Sequence, residues 1–111
     1  MVWQKAMDFA AKVYQLTKRF PTEERFGLVS QLNRSSLSIP SNIAEGAGRD
    51  SKKEFSQFIS VAMGSCFEAE TQLLLSVKFG LVSEIEISEL IKGSDEIQKM
   101  LTGLKKSLNS I

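Results

Sequence analysis

The sequence predicts an all-α protein, an antiparallel up-down-up-down four-helix bundle with its second helix kinked at Pro40. Three observations carry this. Apolar residues recur at spacings of three and four through most of the chain, the period of a helix with one buried face. Only 2 prolines and 7 glycines occur in 111 residues, few for the many turns of an all-β domain. The connections read between the helical stretches are short, which favours antiparallel neighbours.

The first helix is expected over about Val2 to Arg19. Trp3, Ala6, Met7, Ala10, Val13 and Tyr14 form one stripe, and Val2, Phe9, Leu16 and Phe20 a second beside it. So wide an apolar surface implies contact on two sides. Pro21 disfavours helical geometry at Phe20, and Thr22 can cap a following turn that Glu23 and Glu24 favour electrostatically. The second helix is expected from about Glu23 to Ala44. Phe26, Val29, Leu32, Ser36, Ile39 and Ile43 give its stripe. Pro40 falls inside, removes one backbone donor and leaves the Ser36 carbonyl without its usual partner, so a kink covered by Ser36, Ser38 or Ser41 hydroxyls, or by water, is expected. Asn42 can hydrogen-bond across it or contact a base edge, and the structural role is the favoured reading. Gly46 and Gly48 then suit a helix stop at positive φ.

The third helix is expected from Ser51, an N-cap with Glu54 at the capping-box position, to Lys78 or Phe79. Phe55, Phe58, Ile59, Ala62, Cys66, Ala69, Leu73 and Val77 lie on its main stripe. Leu73-Leu74-Leu75 widens the apolar surface, Ala62, Gly64 and Ser65 allow a close helix neighbour, and Gly80 reads as its C-terminal cap. The fourth helix is expected over about Ser83 to Asn109, with Ile87, Leu90, Ser94, Ile97, Leu101, Leu104, Leu108 and Ile111 on a narrow seam. Residues 1–111 make one domain, a rod on the order of 35 Å long at the helical rise.

Composition narrows the function. Hydrophobic residues at 42% and charged residues at 24% exclude a disordered chain. A net charge of +1 gives no global field toward nucleic acid or membrane, so any nucleic-acid site must be a local patch or one multiplied by symmetry. Histidine is absent, which removes the commonest general base and metal ligand. The single cysteine, Cys66, forms no intrachain disulfide and reads as a small buried hydrophobe. No signal pattern or membrane-length apolar run is visible, so a cytoplasmic, membrane-free protein is expected.

The candidate nucleic-acid residues are Arg25, Arg34, Arg49, Lys52 and Lys53. Arg49, Lys52 and Lys53 cluster at the second turn, and Arg25 and Arg34 face opposite ways on an ideal helix. Such cations contact phosphates; the structural alternative is a solvated helix end paired with Asp50 and Glu54. Glu45, Glu68 and Glu70 sit among apolar neighbours, with Glu68 expected to be partly shielded. Without histidine or a di-iron E-x-x-H pattern they read as ion-pair partners of Arg34 or Arg49, not as metal ligands or catalysts. The serines 35, 36, 38 and 41 have no base beside them, and no cofactor loop is present. No catalytic, metal or cofactor residue is nominated.

The run SIPSNIAEGAGR, Ser38 to Arg49, with Pro40, Asn42, Glu45, Gly46 and Gly48, resembles the signature of the 23S rRNA intervening-sequence protein family. The likeness extends over Arg19 to Phe55 and Phe58 to Val82. It implies an antiparallel four-helix bundle that assembles as a homopentamer around a central channel, with no established catalytic residues. A related branch, the accessory proteins of diversity-generating retroelements, forms basic pentamers that bind nucleic acid and a reverse transcriptase. This chain departs from that branch in its net charge, in Asn33-Arg34 where many relatives carry two consecutive basic residues, and in Ser35-Ser36 where alanines are common. Together these readings predict a non-enzymatic oligomeric scaffold whose basic patch, multiplied by symmetry, contacts RNA, DNA or a nucleoprotein. The alternative is a protein–protein interaction module with no nucleic-acid binding, its partner helix lying on the fourth-helix seam.

Overall fold

The computed structural model describes residues 1–110. It contains α1 (Val2–Thr17), a 3-10 turn (Thr22–Glu24), α2 (Leu28–Ala47), α3 (Lys52–Lys78) and α4 (Glu84–Asn109), with no strand among the described residues. The protein is a four-helix bundle. Each helix packs on its two neighbours in the cycle α1–α2–α3–α4, and the backbones of diagonally placed helices stay more than 8 Å apart, Cα to Cα, among the described residues.

The contacts fix the directions. Between α2 and α3, Ser35 meets Gln72, Ser38 meets Ser65, and Gly46 meets Phe58, so residue numbers fall on one helix as they rise on the other. Between α1 and α4, Lys5 pairs with Glu96 and Arg19 with Glu86 in the same descending order. The core is one continuous cluster through all four helices, with Val13, Leu32, Ile39, Ile59, Leu73, Ile97 and Leu101 almost fully buried. The long axis measures 48 Å, beyond the rod expected from the sequence. The 27 residues of α3 alone span about 40 Å, and the turns add length at both ends.

The helix ends follow local chemistry. The Ser51 hydroxyl accepts the Glu54 amide at 3.1 Å, capping α3. The reciprocal capping box is instead at α4: the Glu86 amide donates to Ser83 Oγ at 3.2 Å and the Ser83 amide to Glu86 Oε1 at 2.8 Å. Gly80 ends α3 at φ 77°, and the Leu81 amide closes back on the Ser76 carbonyl at 3.0 Å.

Several expectations need correction. The second helix begins at Leu28, not Glu23, because the chain after Pro21 first makes a 3-10 turn and then breaks at Gly27. Thr22 makes no capping bond with its side chain, and Phe26 lies outside the helix, 90% exposed. The first helix ends at Thr17. Gly46 and Gly48 do not stop α2 at positive φ; Gly48 is right-handed, and Gly80 is the sole positive-φ residue among the described ones. Gly46 is instead a packing glycine, since a Cβ there would lie 2.7 Å from Phe58 Cβ. Ile111 of the fourth-helix stripe lies outside the described residues.

Candidate interaction surfaces

The five nominated cations do not form one patch within the chain. Arg25 follows the 3-10 turn at one end of α2, and Arg49 follows the other end. The 20 residues of α2 hold them about 30 Å apart. Arg34 lies between, exposed, and makes no ion pair among the described residues. Arg49, Lys52 and Lys53 do share one end. There Arg49 pairs with Glu45 at 3.1 Å and Glu54 at 3.9 Å, and its guanidinium lies 4.9 Å from the Phe58 ring centre. Arg49 is one of the two partners that the sequence offered Glu45, but the pair is exposed on the surface and not inside the bundle. Lys52 and Lys53 stay exposed in the first turn of α3, where the helix dipole disfavours positive charge.

The signature run is structural. α2 continues through Pro40, whose ring is buried. The Asn42 amide donates to the Ser38 carbonyl and to Ser38 Oγ, both at 2.8 Å. Ser38 Oγ also pairs with Ser65 Oγ of α3 at 2.8 Å. Asn42 thus fastens the helix beside the proline and orients a hydroxyl toward the next helix. Gly46 lets α3 approach within contact of the α2 backbone.

Glu68 is exposed, contrary to the expectation; Glu70 is the partly shielded carboxylate. Its Oε1 accepts from Ser94 Oγ at 3.0 Å and Gln98 Nε2 at 3.4 Å on α4. Ser94 Oγ also lies 3.3 Å from Cys66 Sγ. Burial pushes the Cys66 thiol up from its ordinary pKa; the Ser94 and Gln98 hydrogen bonds oppose this, and the charges of Glu70 and Asp95 add to it. The sulfur is fully buried, so this network ties α3 to α4 and offers no accessible nucleophile. Among the described residues no group of three or more histidine, cysteine or acidic residues could hold a metal, and no helix is long and apolar enough to cross a membrane.

A feature that periodicity reveals only in part is an open apolar groove between α1 and α2, about 630 Å³. Trp3, Met7 and Tyr14 form one wall, and Leu37, Pro40 and Ala44 the other. Tyr14 is 53% and Leu37 59% exposed, so the bundle's own core does not use them. Lys18 lies over the Tyr14 ring, 5.1 Å from its centre. The signal was present in the sequence as the double-width stripe of the first helix. Which part of that width the bundle leaves bare depends on the tertiary arrangement.

Comparison with known proteins agrees with this fold. The sequence matches no curated protein. A crystal structure of a protein of unknown function from Bacteroides thetaiotaomicron, described as a member of the S23 ribosomal protein family, superposes with a TM-score of 0.89. It is 27% identical, and the match covers 96% of this chain and 99% of that one. The family model for the 23S rRNA-intervening sequence protein matches residues 1–103. Neither description names an enzyme activity. The chain therefore belongs to the 23S rRNA-intervening sequence protein family.

Proposed function

We propose that this chain is a non-enzymatic, self-associating scaffold. The observation that carries the reading is the α1–α2 groove. Single exposed apolar residues are ordinary, but a contiguous set of Trp3, Met7, Tyr14 and Leu37 marks a surface that another molecule covers. The family resemblance makes five copies the specific number to test. Light scattering at micromolar concentration is expected to return a multiple of the 12.3 kDa chain mass. A monomer across that range overturns the reading.

A second reading concerns what the assembly holds. Lys52 and Lys53 share one exposed end and make no ion pair among the described residues. Symmetry would multiply them, with Arg49 beside them and Arg25 and Arg34 further along α2, into a collar for phosphates. Anisotropy of a labelled structured RNA at two salt concentrations tests this. Steeply salt-dependent binding, weakened by Lys52→Ala with Lys53→Ala, supports it. No binding even at low salt rejects it and leaves the protein-interaction module.

A further inference from the structure

We propose that the seam between α3 and α4, at the end of the bundle that carries Lys52 and Lys53, is a track for a single-stranded polynucleotide. This rests on the nucleic-acid reading above. It moves the main contact from α2 to α4 and names the form of strand that fits.

Charge locates the track. Arg49 is occupied by Glu45 and Glu54, whereas Lys52, Lys53, Lys99, Lys105 and Lys106 make no ion pair among the described residues. Residues 99–110 contain no aspartate or glutamate. Met63 of α3 lines one recess with Thr102, Lys105, Lys106 and Asn109 of α4, so the last turns of α4 lie along α3 there. Lys52 precedes Met63 by three helical turns and shares its face, about 16 Å away along the axis. Lys99 precedes Lys106 by two turns and shares its face. Lysines on both helices therefore border one seam. The carboxylates stand off it. Glu54 lies on the other side of α3, turned to Arg49. Glu70 is two turns beyond Met63, and its Oε1 is bonded to Ser94 and Gln98. Asp95 is two turns before Thr102.

The shape selects the strand. The recess is open, about 400 Å³, and Phe67, one turn beyond Met63, is 52% exposed. Single strands are held by cations along the phosphates and by an aromatic face on which a base stacks. Bases inside a duplex are stacked on both sides, so Phe67 finds a free base face only in a single strand. Lysines beside bare apolar side chains also suit an anionic lipid surface. Here they rim a recess, which a strand can enter and a flat bilayer cannot.

Fluorescence anisotropy of a labelled oligouridylate, an oligothymidylate of the same length and a duplex DNA, over a range of salt, tests the track. Both single strands should bind, because lysine and phenylalanine read phosphates and base faces, not the sugar. Lys105→Ala with Lys106→Ala should make the slope of log affinity against log salt shallower by about 1.4, the value for two phosphate contacts on a single strand. Phe67→Ala should weaken binding by about five- to a hundredfold and leave that slope unchanged. Circular dichroism verifies that each variant stays helical. Single-strand binding that neither variant alters overturns the track while the collar of Lys52 and Lys53 stands. A preference of wild type for the duplex overturns the track too. Wild type that binds no polynucleotide, whether or not it binds phosphatidylglycerol vesicles, overturns both this inference and the nucleic-acid reading.

Discussion

Replacing Gly46 by alanine sets a methyl carbon 2.7 Å from Phe58 Cβ, 2.9 Å from Phe55 Cδ1 and 3.3 Å from the Phe55 carbonyl oxygen. Carbon atoms rest at about 3.5–4.0 Å, so α2 and α3 must part locally by roughly 1 Å. The Phe55 ring can turn aside, but Phe58 Cβ and the Phe55 carbonyl are fixed to the α3 backbone. Overpacking of this kind costs about 1–3 kcal/mol. Alanine's better helix propensity offsets about 1 kcal/mol at most, and less here because Gly46 is in the last turn of α2. The net expectation is a loss of about 1–2 kcal/mol, a fall in Tm of about 4–8 °C for a domain of this size. Thermal unfolding followed by far-ultraviolet circular dichroism measures it, at one fixed protein concentration because the proposed self-association would make Tm concentration-dependent. Gly103→Ala is the control. Nothing lies within 4 Å of a Cβ there, so helix propensity acts alone and Tm should rise by up to about 4 °C. A Tm for Gly46→Ala at or above wild type would refute the close-approach argument.

Ser83→Ala removes one half of the α4 capping box and should cost about 0.5–2 kcal/mol in urea unfolding, a loss that Ser83→Thr largely restores. Glu86 is held below the ordinary glutamate range first by the Ser83 backbone amide, then by the Ser83 hydroxyl and Arg19. A depressed carboxylate stabilises the fold above its unfolded pKa, and that contribution fades as pH falls through the folded value. Wild type should therefore exceed Glu86→Gln in stability near neutral pH, with the gap closing in acid; a gap constant down to about pH 3 contradicts the assignment. Cys66 should resist thiol reagents in the native protein and react in step with loss of helicity, because the sulfur is buried and its thiolate disfavoured. Stoichiometric labelling under native conditions would show that α4 opens from α3 far more readily than the packing implies.

Where the sequence was legible, the information was local. Ser51 with Glu54 and Gly80 after Phe79 carry their cap chemistry within a few residues, and α3 runs between them as expected. Where it was not, the deciding fact was either a backbone break or a distant neighbour. Phe26 sits three residues before Val29 and so matches the helical period, but period does not register the break at Gly27. Gly46 looks like a turn glycine because it stands near the end of a segment. Its actual constraint comes from Phe55 and Phe58 on another helix. Glu68 and Glu70 are equivalent by composition, and only the partner helix, through Ser94 and Gln98, separates the exposed one from the shielded one. The basic residues read as a group along the chain are split by the length of α2. The groove was half legible: the doubled stripe on the first helix showed excess apolar surface, but not that Leu37 and Pro40 complete it.

The central claim is that the α1–α2 groove is an interface. Size-exclusion chromatography with light scattering, run on wild type and on Leu37→Asp, tests it most directly. Leu37 is 59% exposed in the isolated bundle, so the substitution leaves the core intact and should preserve helicity. The account predicts a multimer for wild type and a helical monomer for Leu37→Asp. Wild-type and Leu37→Asp proteins of the same mass, whether monomeric or assembled, would contradict it.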